Sequence, residues 1–97
     1  MKSTSKRKNE DIRVSQIKPS GNLKFEFTTQ HNSEIVIKIY SASGDLLYML
    51  RDYEIKRKGN SIIIERSEVL QDKLDRLLYT ITIKGIDYKG VIELNVN

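Results

Sequence analysis

Few side chains in this sequence have the chemistry of a catalytic or metal site, and they stand apart from one another. The one histidine, His31, lies in the polar run at residues 29–33, and the chain contains no cysteine. A zinc site needs several histidine or cysteine ligands, and a catalytic triad needs a histidine oriented beside a nucleophile. We therefore interpret His31 as a solvated loop residue.

The carboxylates are spaced in ways that favour solvated surfaces. Asp72 and Asp75 are interspersed with Lys73 and Arg76, whereas a general acid–base pair works best in a buried setting. Asp52, Glu54 and Asp87 fall in no calcium-binding loop of alternating oxygen ligands. Residues 43–45 lack the Gly-x-x-x-x-Gly-Lys spacing that cradles phosphate. The sequence therefore predicts no catalytic residue, no cofactor and no metal site, and we expect the protein not to be an enzyme.

Positive charge is concentrated at the N-terminus. Lys2, Lys6, Arg7 and Lys8 give residues 1–9 all of the net charge of +4, because the other 13 basic residues balance the 13 acidic residues. Basic arms of this kind bind acidic protein surfaces or nucleic acid. A solvated tail that aids solubility is the alternative. We predict that these four side chains bind a partner.

A second basic cluster lies in the middle of the chain and comprises Arg51, Lys56, Arg57 and Lys58. We assign Arg57 and Lys58 to the partner-binding set together with the arm. Tyr53 and Tyr88 are interleaved with basic residues, and bases of single-stranded nucleic acid stack on aromatic rings beside basic side chains. A nucleic-acid-binding module is therefore a second alternative, although neighbouring acids dilute the positive field.

Alternating apolar residues predict the elements that position these groups. Ile35, Ile37 and Ile39 recur with period two, which places them on one face of a strand, and Gly44 permits the turn that follows. The same signal predicts further strands at residues 11–17, 23–28, 46–50, 61–65, 77–84 and 91–96. We expect the strand at 61–65 to be covered on both faces and residues 85–90 to close the last hairpin. The leucines at 70, 74, 77 and 78 indicate one or two helical turns before the strand at 77–84.

These elements predict one all-β domain, an Ig-like antiparallel sandwich of two sheets with about seven strands and one short helical turn. We assign residues 1–10 to the basic arm and residues 11–97 to the sandwich. No signal-peptide core or membrane-spanning stretch is present in the sequence. The predicted inward-facing residues are Leu23, Phe25, Phe27, Ile35, Ile37, Ile39, Ile62, Ile64, Tyr79, Ile81, Ile83, Ile92 and Leu94.

Four segments resemble a known group of domains: GNLKFEF at 21–27, IVIKIYSASGDLLY at 35–48, YTITI at 79–83 and GVIEL at 90–94. Together they are similar to small Ig-like domains of Bacteroidetes, including type IX secretion C-terminal sorting domains. Sorting domains usually carry glycine two residues before the tyrosine, where this chain has Leu77, and they end large secreted proteins, whereas this chain starts with a basic arm. The resemblance therefore favours a stand-alone module such as an Ig-like accessory domain carried by a phage.

We accordingly expect a non-enzymatic accessory or decoration protein of a larger assembly such as a phage virion. Its partner would be a protein such as the capsid protein, reached in part through the basic arm. A secreted or surface Ig-like domain that binds protein or glycan is the main alternative. We expect no membrane partner, and a virion or cytoplasmic location is favoured over a secreted one. The sequence leaves the oligomeric state open.

Overall fold

The computed structural model describes residues 10–18, 20–69 and 76–94. In this part of the chain the regular elements alternate with short turns. They are β1 (Glu10–Gln16), β2 (Leu23–Thr29), β3 (Ser33–Ser41), β4 (Leu46–Ile55), β5 (Lys58–Ile64), α1 (Arg66–Val69), β6 (Arg76–Ile83) and β7 (Ile86–Glu93). β1 thus begins at Glu10, one residue before the predicted domain boundary. Leu70 and Leu74 of the predicted helical pattern lie outside the described residues, whereas Leu77 and Leu78 belong to β6.

The strands form two antiparallel sheets, as predicted. The three-stranded sheet has the order β1-β2-β5, and the four-stranded sheet has the order β4-β3-β6-β7. The chain crosses from one sheet to the other between β2 and β3, between β4 and β5, and between β5 and β6. Constant-type immunoglobulin domains pair their fourth strand with the first sheet, whereas here β4 pairs with β3 in the second. The fold is therefore a seven-stranded sandwich in the described part of the chain, with one helical turn.

The core lies between the two sheets and follows the period-two pattern. All the predicted inward residues are buried in it except Tyr79, which is half-buried and packs against it. The ring of Tyr79 contacts that of Phe25 in the opposite sheet, edge to face, with the centroids 5.9 Å apart. Ile55, Val69 and Leu77 are also buried there. Leu77 is buried because β6 begins at Arg76, so its side chain faces inward with those of Ile81 and Ile83.

The prediction that strand 61–65 is covered on both faces is wrong. Ile62 and Ile64 are buried, but Ile63 is 56% exposed. β5 is an edge strand of the three-stranded sheet, and the outer face of that sheet is open to solvent. A run of three isoleucines therefore contributes two residues to the core and one to the surface.

The predicted position of the last hairpin turn is also wrong. The turn consists of Lys84 and Gly85 alone, and Ile83 pairs directly with Ile86. Both turn residues have positive φ, 53° and 78°, as a two-residue type I′ turn requires. Gly90 therefore lies inside β7, opposite Tyr79, and an added Cβ at Gly90 would collide with the tyrosine ring. Glycine is needed at this position for space, where the sequence pattern indicated a turn.

Candidate functional site

The start of β1 and three of the connections between strands lie at one end of the sandwich, which we call the Glu10 end. The connections are the loop at residues 30–32, the turn at residues 56–57 and the turn at residues 84–85. His31 lies in the first of these loops and is exposed. Loops that cluster at one end of such a sandwich form the binding surface of immunoglobulin variable domains. The Glu10 end is therefore the first place to look for a binding surface.

Strand register places the root of the basic arm beside the second basic cluster. Across the three-stranded sheet, Glu10 pairs with Thr29, and Thr29 pairs with Lys58. Neighbouring strands lie about 4.8 Å apart, so the backbones of Glu10 and Lys58 are about 10 Å apart. Lys2, Lys6, Arg7 and Lys8 lie outside the described residues, but their segment joins the domain at this end. The first residue of β1, which follows the arm in sequence, therefore lies at the same end of the fold as the second basic cluster.

The turn that carries Arg57 and Lys58 is held by hydrogen bonds from three other positions. The backbone N–H of Lys56 donates to Oδ1 of Asn60 at 3.0 Å, and Nδ2 of Asn60 donates back to the carbonyl of Lys56. The backbone N–H of Arg57 donates to Oδ1 of Asn32 at 2.7 Å. The hydroxyl of Thr29 donates to the same carbonyl of Lys56 at 3.3 Å. These bonds fix the backbone of the turn while both basic side chains stay exposed.

The charges at this turn are only partly neutralised. Nζ of Lys56 lies 2.9 Å from Oε1 of Glu54, so this lysine is paired. Among the described residues, neither Arg57 nor Lys58 makes an ion pair with a carboxylate. Lys58 also has a φ of 85°, in the region that favours glycine. The fold thus keeps two cations exposed at the Glu10 end, one of them at a strained backbone position.

An open cleft lies at the same end, beside a β-bulge that the sequence analysis missed. The pairing of β3 with β4 shifts between Ile35 and Ile37, and Asp52 takes a φ of 60° there. The cleft has a volume of about 570 Å³ and is lined in part by Ser33, Arg51, Asp52 and Lys84. An aspartate inside a strand pattern is a signal for such a bulge, because aspartate is depleted in strands and tolerates positive φ.

The cleft can offer charge and hydrogen bonds to a polar ligand. Arg51 and Asp52 supply opposite charges at its rim. Ser33 also lines the cleft, but its hydroxyl oxygen is buried and has no hydrogen-bond partner among the residues that the structure describes. Within residues 10–18, 20–69 and 76–94, no three histidine or acidic side chains come together in a group that could hold a metal ion. The cleft therefore adds polar recognition to the Glu10 end.

The structure separates the two tyrosines that suggested a nucleic-acid groove. Tyr53 lies on β4 and Tyr88 on β7, the two opposite edges of the four-stranded sheet. Tyr88 is half-buried and packs against the core. Three strand spacings of about 4.8 Å put them about 14 Å apart, so they form no common stacking platform. Arg57 and Lys58 lie near Glu10, where β1 begins, but the two tyrosines of the nucleic-acid alternative are not brought together.

Comparison with protein-family models, with curated proteins and with solved structures finds no match for this chain. In the described part of the chain, no helix has the length and apolar character needed to cross a membrane. Functional inference therefore depends on the sequence and on the geometry of the Glu10 end.

Proposed function

We propose that this protein is a non-enzymatic binding module that docks on an acidic surface of a larger protein assembly through its Glu10 end. The observation that carries the proposal is the register Glu10–Thr29–Lys58, which brings the root of the arm beside the exposed basic turn. The arm has no apolar side chain except Met1. Its contribution to binding would therefore come from charge and hydrogen bonds.

The turn and the arm suit this task in different ways. Arg57 and Lys58 stand on a backbone that Asn32 and Asn60 hold in place, so little backbone freedom is lost when they bind. Single exposed ion pairs contribute roughly 0–1 kcal/mol each, so a useful affinity needs several of them together. The arm, which precedes Glu10 in sequence, contains four more cations. Binding of this kind should weaken as salt rises, because exposed charges are screened over about 8–10 Å.

The assembly that we favour is a phage virion with its capsid protein as the partner. Support for this choice is the resemblance to Ig-like modules together with the two-sheet sandwich fold. The competing proposals are a surface domain that binds protein or glycan, and a nucleic-acid-binding module that uses the same cations on phosphates. The separation of Tyr53 from Tyr88 counts against base stacking in the last of these.

Binding to poly-L-glutamate tests the proposed acidic surface, and binding to single-stranded oligothymidine tests the nucleic-acid alternative. The test variant is Arg57→Gln/Lys58→Gln in the full chain. Its matched control is Lys18→Gln/Arg66→Gln, which removes the same two charges from exposed positions at the opposite end. We expect the test variant to weaken poly-L-glutamate binding about tenfold and the control to leave it within about twofold of wild type.

Equal weakening by both double variants would show that binding follows net charge alone and would contradict a site at the Glu10 end. Binding to oligothymidine without binding to poly-L-glutamate would favour the nucleic-acid alternative. No binding of either polymer at low salt would contradict the electrostatic docking that the proposal requires.

A further inference from the structure

The outer face of the four-stranded sheet carries an apolar row that runs across all four strands. Tyr40 on β3 pairs with Leu46 on β4 and with Leu78 on β6, and Leu78 pairs with Val91 on β7. We call these four residues the outer stripe. Leu46 is 50% exposed and Val91 is 52% exposed. Met49, which is also exposed, lies next to the stripe on β4, opposite Lys38.

The outer face of the three-stranded sheet is mainly polar and contains no comparable apolar row among the described residues. Its central strand presents Lys24, Glu26 and Thr28 outward, and Nζ of Lys24 lies 3.5 Å from Oε2 of Glu26. Ile63 is the exposed large apolar residue that the described part of this face carries. Single exposed apolar side chains are common on soluble proteins, whereas a contiguous apolar patch marks an interaction surface. The outer stripe is such a patch.

The charges around the stripe identify the partner that fits it. On β7 the outward residues Lys89, Val91 and Glu93 read positive, apolar and negative along the strand. A two-fold axis that lies along the stripe reverses the strand direction in a second copy. It therefore places Lys89 opposite Glu93 of the second copy, and Glu93 opposite Lys89 of the second copy, on either side of the apolar contact.

We propose that this face is the interface of a homodimer in which the two four-stranded sheets pack face to face with antiparallel strands. The outer stripes of the two copies would pack on each other, with Leu46 opposite Leu46 of the second copy and Val91 opposite Val91 of the second copy. The alternative two-fold axis, parallel to the strands, would place Lys89 opposite Met49 of the second copy, so Lys89 would face no opposite charge across the interface. Glu93 would then keep only Arg76 of its own copy, whose Nη2 lies 3.6 Å from its Oε2. The charge pattern therefore selects one of the two symmetric arrangements.

The size of the face sets the expected strength. The stripe lies only two residues from the ends of β6 and β7, so faces related by an axis along the stripe overlap over only part of each strand. Four strands spaced at about 4.8 Å and about five residues of about 3.3 Å give roughly 320 Å² per copy. Two copies would bury roughly 640 Å², which is less than a stable specific interface buries. We therefore expect a weak, transient dimer that dissociates at high micromolar concentration. Because the strands are antiparallel, the two Glu10 ends would point away from each other, although the dimer itself does not depend on any function of those ends.

Sedimentation equilibrium over a concentration series from about 10 μM to about 1 mM tests the proposal on the full chain. Wild type should show a reversible monomer–dimer equilibrium. Val91→Lys should weaken dimerisation about tenfold or more, because it places a charge in the centre of an apolar contact. The matched control is Ile63→Lys, which adds the same charge at an equally exposed apolar position on the other sheet and should leave the equilibrium unchanged. Thermal unfolding of each variant shows that the domain remains folded.

A charge exchange tests the antiparallel arrangement itself. Lys89→Glu or Glu93→Lys alone should weaken the dimer several-fold, and the double exchange should restore it, because the opposite charges then face each other again. Glu93→Lys also removes the ion-pair partner of Arg76, whose Nη2 lies 3.6 Å from Oε2 of Glu93, and the unfolding curves reveal any change this causes in the monomer. A wild type that remains monomeric throughout would overturn the proposal. A dimer that Ile63→Lys also dissociates, or that the double exchange fails to restore, would do so as well.

Discussion

The interior of the sandwich and its Glu10 end are held together by different forces. Phe25, Ile37 and their neighbours are fully buried, and burial of apolar area from water stabilises them without regard to salt. The basic turn is instead held by amide and hydroxyl hydrogen bonds from Asn32, Asn60 and Thr29. The comparison teaches that the largest contributions to stability and the contacts for binding come from different residues. Changes in the interior should alter folding most, whereas changes at the Glu10 end should alter binding and have smaller effects on folding.

The largest expected effect comes from truncating the core. Phe25→Ala removes a fully buried ring that contacts Tyr79 and should cost about 3–5 kcal/mol of unfolding free energy. Urea unfolding followed by circular dichroism measures this loss. The control Ile63→Ala, at an exposed position, should change the free energy by less than about 0.5 kcal/mol. A loss below about 1 kcal/mol for Phe25→Ala would contradict the inward position of this ring.

A smaller loss is expected where an aromatic ring lies over a strand glycine. In Gly90→Ala the new Cβ would lie 2.8 Å from Cε2 of Tyr79 and closer still to its hydroxyl, so the ring must move. We expect a loss of about 1–3 kcal/mol, as for other overpacked sites. Gly59→Ala is the matched control, because a Cβ there meets no atom within 4 Å. It should be neutral or slightly stabilising, and equal losses in the two variants would show that the ring is not the cause.

Phe25 and Gly90 also show which structural features can be predicted from the sequence alone and which cannot. Period-two alternation predicts the inward face because the pleat forces alternate side chains to opposite sides, and Phe25 follows that rule. The sequence pattern assigns Gly90 to a turn, because a glycine in a sequence can be required either for a positive φ or for the absence of a side chain. The sequence alone does not distinguish these two requirements. The difference depends on Tyr79, which lies on the neighbouring strand, and no local pattern contains it.

The Glu10 end was predictable in its charges but not in its geometry. The arm and the cluster at Arg57 and Lys58 were evident as runs of basic residues. That β1 begins beside this cluster depends on the register of β1, β2 and β5, which joins residues almost fifty positions apart in the chain. The bulge at Asp52 and the hydrogen bonds from Asn32 and Asn60 likewise depend on pairing between distant segments.

The hydrogen bonds of the basic turn provide the next prediction. Asn60→Ala removes both the acceptor of the Lys56 N–H and a donor to the Lys56 carbonyl. It should cost about 1–2 kcal/mol of stability and should also weaken poly-L-glutamate binding, because Arg57 and Lys58 lose their fixed backbone. Asn60→Asp keeps the acceptor and should lose less of both. Unchanged binding in a destabilised Asn60→Ala protein would show that the turn need not be held in place for recognition.

A still smaller and opposite effect on stability is expected at Lys58. Its φ of 85° is unfavourable for any residue with a Cβ, so Lys58→Gly should raise the free energy of unfolding by a few tenths to about 1 kcal/mol. The same change removes a proposed binding cation and should weaken poly-L-glutamate binding several-fold. A protein that becomes both more stable and less able to bind would show that the lysine is kept here at a cost to folding. Tighter or equal binding would remove Lys58 from the site.

The smallest effect on stability is expected from deleting residues 1–9. The segment contains no apolar side chain except Met1, so its removal takes little apolar area from the fold, and the unfolding temperature should remain nearly unchanged. Binding to an acidic surface should nevertheless fall, because the deletion removes Lys2, Lys6, Arg7 and Lys8 together. The loss should shrink as salt is raised, since the intact protein then loses the same electrostatic contribution by screening. A solvated tail predicts no change in either measurement, so unaltered affinity of the truncated protein at low salt would show that the arm does not anchor the module.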